Sequence, residues 1–165
     1  MSQDIPVEKK FKTLVQIARA SHFAWHEAVA QTCPDAKMLD VVNTMWEVTA
    51  HDTAKAYSRK LDKGKPLPAQ VAGSFVWSSL TMGEEAEIVA GKDDKEAFVR
   101  HNGCPWFEWH KRMNLLEEDR PGCDTWFFVV VEDINKALGT NLKIETVKSL
   151  PDGDDACVRR IWVEE

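Results

Sequence analysis

Apolar residues in this chain recur at helical spacing as far as Leu80, and the character changes to strands just after Gly83. No other feature limits the fold so strongly, because a segment patterned for a helix cannot bury its apolar side as a strand. Val7, Phe11, Leu14, Ala18, Trp25 and Val29 mark one amphipathic helix from Val7 to about Cys33. Pro34 stops it, and Asp35 is placed to cap a second helix that runs to about Leu61. That helix carries Met38, Val42, Met45, Trp46 and Thr49 on its inner stripe. The turn LDKGKPLP follows, and Ala69 to Leu80 is apolar nearly all round, as a third helix buried on most sides would be.

Beyond Gly83, AEIVA and EAFVRHN read as strands joined at Gly91-Lys92-Asp93-Asp94. A short helix ends near Asp119, and Pro121-Gly122 is expected to break the chain. Asp124 to Leu138 is then a helix closed by Gly139. Leu142 to Lys148 and Ala156 to Val163 are strands, connected through Asp152-Gly153-Asp154-Asp155. Helices followed by an antiparallel sheet with inserted helices give an α+β domain. At 165 residues without a linker or repeat, residues 1–165 are expected to form a single domain.

A net charge of −6, with no extended Lys/Arg run, argues against a nucleic-acid partner. There is no run of eighteen apolar residues, and MSQDIPVEKK lacks the apolar centre of a signal peptide, so no membrane partner and a cytoplasmic location are expected. The four cysteines should then be reduced thiols, and the absence of a CxxC pair argues against a zinc ribbon. Seven Trp against one Tyr suit aromatic-lined pockets or subunit contacts, or else simply fill the core.

Two groups of residues carry candidate chemistry. His22 and His26 stand at i and i+4 within the apolar stripe of the first helix, so both should face the interior and share one site. They could supply two ligands to a divalent ion (Zn, Fe or Mn), with Asp52 near the inner edge of the second helix as the third. His51 is the more natural ligand chemically, but it and Glu47 point away from that stripe. The alternative is a half-buried, hydrogen-bonded histidine pair without metal.

The second group centres on HNGCPWFEWHK, His101 to Lys111, a pocket corner where Pro105 places Cys104 beside Trp106 and Trp109, flanked by His101 and His110. Cys123 falls just before the predicted helix start, where the dipole would lower a thiol pKa. Cys157 opens the last strand. Three cysteines at element boundaries could converge as free thiols and give a nucleophile, with Asp124, Asp133 or His101 as acid or base. The alternative is that they are small buried hydrophobes.

Cys104-Pro105, Cys123-Asp124 and the GDDAC ending (Gly153 to Cys157), over roughly Phe98 to Trp162, resemble the L-2-amino-thiazoline-4-carboxylic acid hydrolase-like proteins. Val158-Arg159-Arg160 departs from the aromatic residue that pattern places after the last Cys. The resemblance implies a hydrolase, or related lyase, acting on a C–N or C–S bond of a compact heterocyclic or acidic metabolite. It implies Cys104, Cys123, Asp124 and Cys157 as the catalytic set. The alternatives are a small-ligand-binding or sensor domain, as in vinyl-reductase-like domains, and a structural oligomer subunit. An all-round apolar helix bearing Trp77 needs cover on every side, so a homo-oligomer, first of all a dimer, is expected.

Overall fold

The computed structural model describes residues 4–164. Residues 1–41 and 42–165 form two compact units. The first unit consists mainly of α1 (Val7–Thr32), whose length and ending match the sequence pattern. The buried face does not. Val15, Arg19, Phe23 and His26 are the buried positions of α1, while Val7, Phe11, Leu14 and Trp25 are exposed. Apolar residues lie on two sides of this helix, and the richer side is the open one. Asp35 lies in the turn after α1, since α2 (Met38–Ser58) starts three residues later, so Asp35 does not take the capping position.

The second unit holds most of α2, then α3 (Leu67–Thr81), a hairpin of β1 (Glu85–Ala90) and β2 (Glu96–Gly103), α4 (Pro105–Met113), α5 (Leu116–Leu138), β3 (Leu142–Lys148) and β4 (Cys157–Val163). The four strands form one antiparallel sheet in the order β1-β2-β4-β3. Helices precede and interrupt a C-terminal antiparallel sheet, so the fold is α+β. The hairpin turns at Gly91, where a Cβ would collide with the Glu96 carbonyl oxygen, so glycine is required. Among the described residues no helix is long and apolar enough to cross a membrane.

Strand alternation decides what faces the helices. Ala97, Val99 and His101 form the buried row of β2, and Arg159 and Ile161 are the buried positions of β4. The core gathers Val71, Ala72 and Phe75 from α3 with Phe127, Val130, Val131 and Ile134 from α5 against that face. Phe75 meets Phe127 with ring centroids 4.7 Å apart and Trp126 at 5.6 Å. Burying each such side chain contributes about 1.5–3 kcal/mol. α3 is buried or half-buried on most sides, as expected, and its open stripe carries Trp77, 61% exposed, and Leu80, 51% exposed.

The Pro121-Gly122 break does not occur. α5 runs unbroken from Leu116 through Pro121 to Leu138. Gly122 is there for a close approach, since a Cβ would sit 2.7 Å from Trp46 Cδ1. The proline forfeits one helical hydrogen bond, but the glycine lets α2 and α5 meet at a tryptophan face.

Candidate functional site

A cavity of about 300 Å³ opens between the sheet and the helices of the second unit. That volume suits a small metabolite. Its aromatic wall comes from Trp46 of α2, Trp106 of α4, and Trp126 and Phe127 of α5. Trp46 and Trp106 stand edge to face with centroids 5.6 Å apart.

The polar wall is built by the end of α3 and the inward rows of β2 and β4. Gly83, at φ 75°, turns the chain after α3, and the Glu84 amide donates to the Ser79 carbonyl at 2.9 Å. This cap brings Ser79 and Glu84 to the same imidazole. His101 Nε2 lies 2.8 Å from Ser79 Oγ and 3.4 Å from Glu84 Oε2. Trp106 Nε1 donates to Glu84 Oε1 at 3.1 Å. Burial, reinforced by the nearby Arg159 guanidinium, pushes the His101 pKa down to about 3, so the ring is neutral at ordinary pH.

His101 pairs directly across the sheet with Cys157, and Arg159 lies between Val99 and Thr146. Arg159 is only 4% exposed and lies over the Phe127 ring at 4.0 Å. Its Nη2 donates to Asp124 Oδ1 at 3.3 Å, and Thr146 Oγ1 donates to the same oxygen at 2.6 Å. Asp124 is also held by Arg120 Nε at 3.4 Å. At the far end of the wall, His110 Nδ1 donates to the Trp106 carbonyl at 3.0 Å. Asp119 Oδ2 is 2.8 Å from the same nitrogen. Three buried polar atoms of cavity-lining residues have no hydrogen-bond partner among the described residues: Arg159 Nε, His101 Nδ1 and Asp119 Oδ2.

Cys104, Cys123 and Cys157 all line this cavity as free thiols, so the three predicted cysteines are brought together. Their environment opposes the activation that the sequence suggests. Burial pushes Cys104 up to about 12, with the Glu84 carboxylate adding to the shift. Cys157 is also raised by burial, and Cys123 is raised well above the ordinary thiol range. Cys123 sits inside α5 rather than at its start, so the helix-dipole argument for a lowered pKa does not apply. Asp124 lies behind Arg159 and is absent from the cavity lining. Asp133 is elsewhere on α5, 2.5 Å from His51 Nδ1 and bonded to Lys136.

The residues expected to bind a metal lie in both units, His22 and His26 in the first and Asp52 in the second. Asp52 is exposed and bonded to Lys55 Nζ at 3.0 Å. His26 is buried on α1 and His22 half-buried beside Phe23, at a centroid distance of 5.0 Å. Among the described residues no group of three or more His, Cys, Asp or Glu side chains is arranged to hold a metal ion.

A family model described as L-2-amino-thiazoline-4-carboxylic acid hydrolase matches residues 14–161. The chain belongs to this family. The match takes in α1, α2 and α3 as well as the C-terminal half that carries the sequence resemblance. No curated protein matches the chain. Among solved structures, trafficking protein particle complex subunit 3 from Naegleria fowleri, covalently bound to palmitic acid, is similar with a TM-score of 0.54 and 18% identity. The alignment covers 93% of this chain and 97% of that one, so the two share a fold. The phenol-responsive sensory domain of the transcription activator PoxR, with phenol, aligns at a TM-score of 0.46 and 10% identity, over 88% of this chain and 74% of that one.

Sequence reasoning missed Glu84, Ser79, Asp119 and the inward Arg159. For Arg159 and His101 the signal was present. Each stands two residues along from an apolar residue on the buried row of its strand, and a charged or polar group there is worth a question. Glu84 and Asp119 had no such signal, because a helix cap and an unbroken helix bring them in.

Proposed function

We propose that this chain is a small-molecule hydrolase acting on a C–N or C–S bond of a compact heterocycle that carries a carboxylate. The observation that supports this best is Arg159. A guanidinium buried in a sheet, held from behind by Asp124 and with Nε unpartnered beside a cavity, is suited to grip a carboxylate. The aromatic wall of Trp46, Trp106 and Trp126 takes the flat ring.

Glu84 is the base in this reading. Its carboxylate takes a proton as water adds to the ring carbon, and returns it to the nitrogen or sulfur that departs. Water is consumed, one ring bond is broken and Glu84 is regenerated. The three thiols remain protonated and shape the cavity.

The test is to incubate the purified protein with L-2-amino-thiazoline-4-carboxylate and to follow, by mass spectrometry, the gain of one water. Binding is read from tryptophan emission. Arg159→Met should abolish both binding and turnover, whereas Glu84→Gln should keep binding and lose turnover. A second reading, ligand binding without chemistry, is favoured by the protonated state of all three thiols. Tight binding with no mass gain would select it.

A further inference from the structure

His101 carries more information than its burial. Its Nε2 is the nitrogen facing both Ser79 Oγ and the Glu84 carboxylate, while Nδ1, on a residue 3% exposed, has no hydrogen-bond partner among the described residues. A neutral imidazole has one N–H and one lone pair, and its neighbours decide which nitrogen keeps the proton. The carboxylate near Nε2 favours N–H there. The Arg159 cation, close enough to act on the ring electrostatically, disfavours the imidazolium, so the ring keeps a single N–H. With that single N–H at Nε2, facing Glu84, the lone pair is on Nδ1, in a residue that lines the cavity.

We propose that Glu84 and Arg159 fix His101 as the Nε2–H tautomer, and that its Nδ1 lone pair selects ligands presenting an N–H beside the anionic group held by Arg159. This rests on the carboxylate-binding reading of Arg159 and adds a specificity rule to it. His101 is then an acceptor rather than a proton carrier. A buried acceptor left empty is penalised, so a ligand without the matching N–H is rejected, and not merely bound less well by default. A ring nitrogen or exocyclic amine that can donate satisfies it, and a carbocyclic or fully alkylated analogue does not.

Two experiments decide the point. Long-range nitrogen–proton NMR of the ¹⁵N-labelled protein reads the tautomer without any ligand. The expected result is an Nε2–H, Nδ1-unprotonated ring at neutral pH, and an Nδ1–H tautomer or an imidazolium would overturn the proposal. The second compares 2-aminothiazole-4-carboxylate with thiazole-4-carboxylate, which differ only in the amino group, by quenching of tryptophan emission. The amino compound should bind about tenfold more tightly to the wild-type protein. His101→Phe, which keeps a flat ring against Phe127, should erase that preference while both compounds still bind. Equal affinities in the wild-type protein, or an undiminished preference in His101→Phe, would refute the proposal alone. Failure of both compounds to bind the wild-type protein would bring down the Arg159 anchor and this proposal together.

Discussion

Gly122→Ala tests the joint between α2 and α5 that forms one side of the cavity. Two opposing effects set the outcome. Alanine is favoured over glycine inside a helix by about 1 kcal/mol. Against that, the new methyl would lie 2.7 Å from Trp46 Cδ1 and 2.8 Å from its Nε1, with Val42 Cγ1 at 3.6 Å. Overpacking of this kind costs about 1–3 kcal/mol. An indole is rigid, and Trp46 is also set edge-on against Trp106, so the ring must move as a unit and the upper part of that range applies. The expected net effect is a loss of about 1–2 kcal/mol. Urea unfolding followed by circular dichroism should show the midpoint falling by roughly half to one molar. Tryptophan emission of the folded variant should change as Trp46 is displaced. A gain of about 1 kcal/mol with unchanged emission would refute the close approach and the continuity of α5 with it.

Asp124→Asn should destabilise by about 2–4 kcal/mol in the same assay, because the buried Arg159 loses its anionic partner; a change under 0.5 kcal/mol would show that the pair is not formed. His101 is neutral in the fold, with a pKa of about 3 against 6.5 unfolded, so the unfolded chain binds more protons in that window. Its contribution is therefore complete above about pH 6.5 and is lost as pH falls toward 3, at about 1.4 kcal/mol per pH unit, and His101→Phe should flatten the stability–pH curve there. With Cys104 pushed up to about 12 and Cys123 and Cys157 also raised, iodoacetamide at pH 8 should label the exposed Cys33 first in the native protein, and all four cysteines once it is denatured. Trp77→Glu removes the large exposed side chain of α3, and light scattering should show a dimer dissociating into a folded monomer of about 19 kDa; a monomeric wild-type protein would overturn the expected assembly.

The α+β order was legible because period carries it: helical spacing to Leu80, alternation in EAFVRHN, and Gly139 closing α5 at φ 64°. The convergence of Cys104 and Cys157 was legible because one precedes α4 and the other opens β4, whereas Cys123 was grouped with them on a helix start that does not exist, since it lies inside α5. Three features were not. The stripe of α1 misled because apolar residues occupy both its faces, and sequence spacing cannot say which face is covered. Pro121-Gly122 read as a break because local propensity cannot see Trp46, which makes the glycine a packing requirement. Asp124 read as an acid because its ties to Arg159, Thr146 and Arg120 come from residues up to 35 positions away.

Those errors share a direction, and it bears on how the site works. Each relied on a local signal (an apolar stripe, a turn pair, an acid beside a cysteine), whereas the cavity is made by long-range contacts. Its charge is distributed accordingly. Asp124 balances Arg159 from behind, so the guanidinium can be buried while its Nε has no hydrogen-bond partner among the described residues. The imidazole and the thiols beside it are held uncharged by the same burial. A ligand entering this space therefore meets a fixed cation backed by its own counter-ion, a neutral acceptor and a carboxylate near its ring. It need not displace any internal ion pair to bind. Preorganisation of that kind is what the proposed binding of a small polar ligand in an aromatic cavity would require.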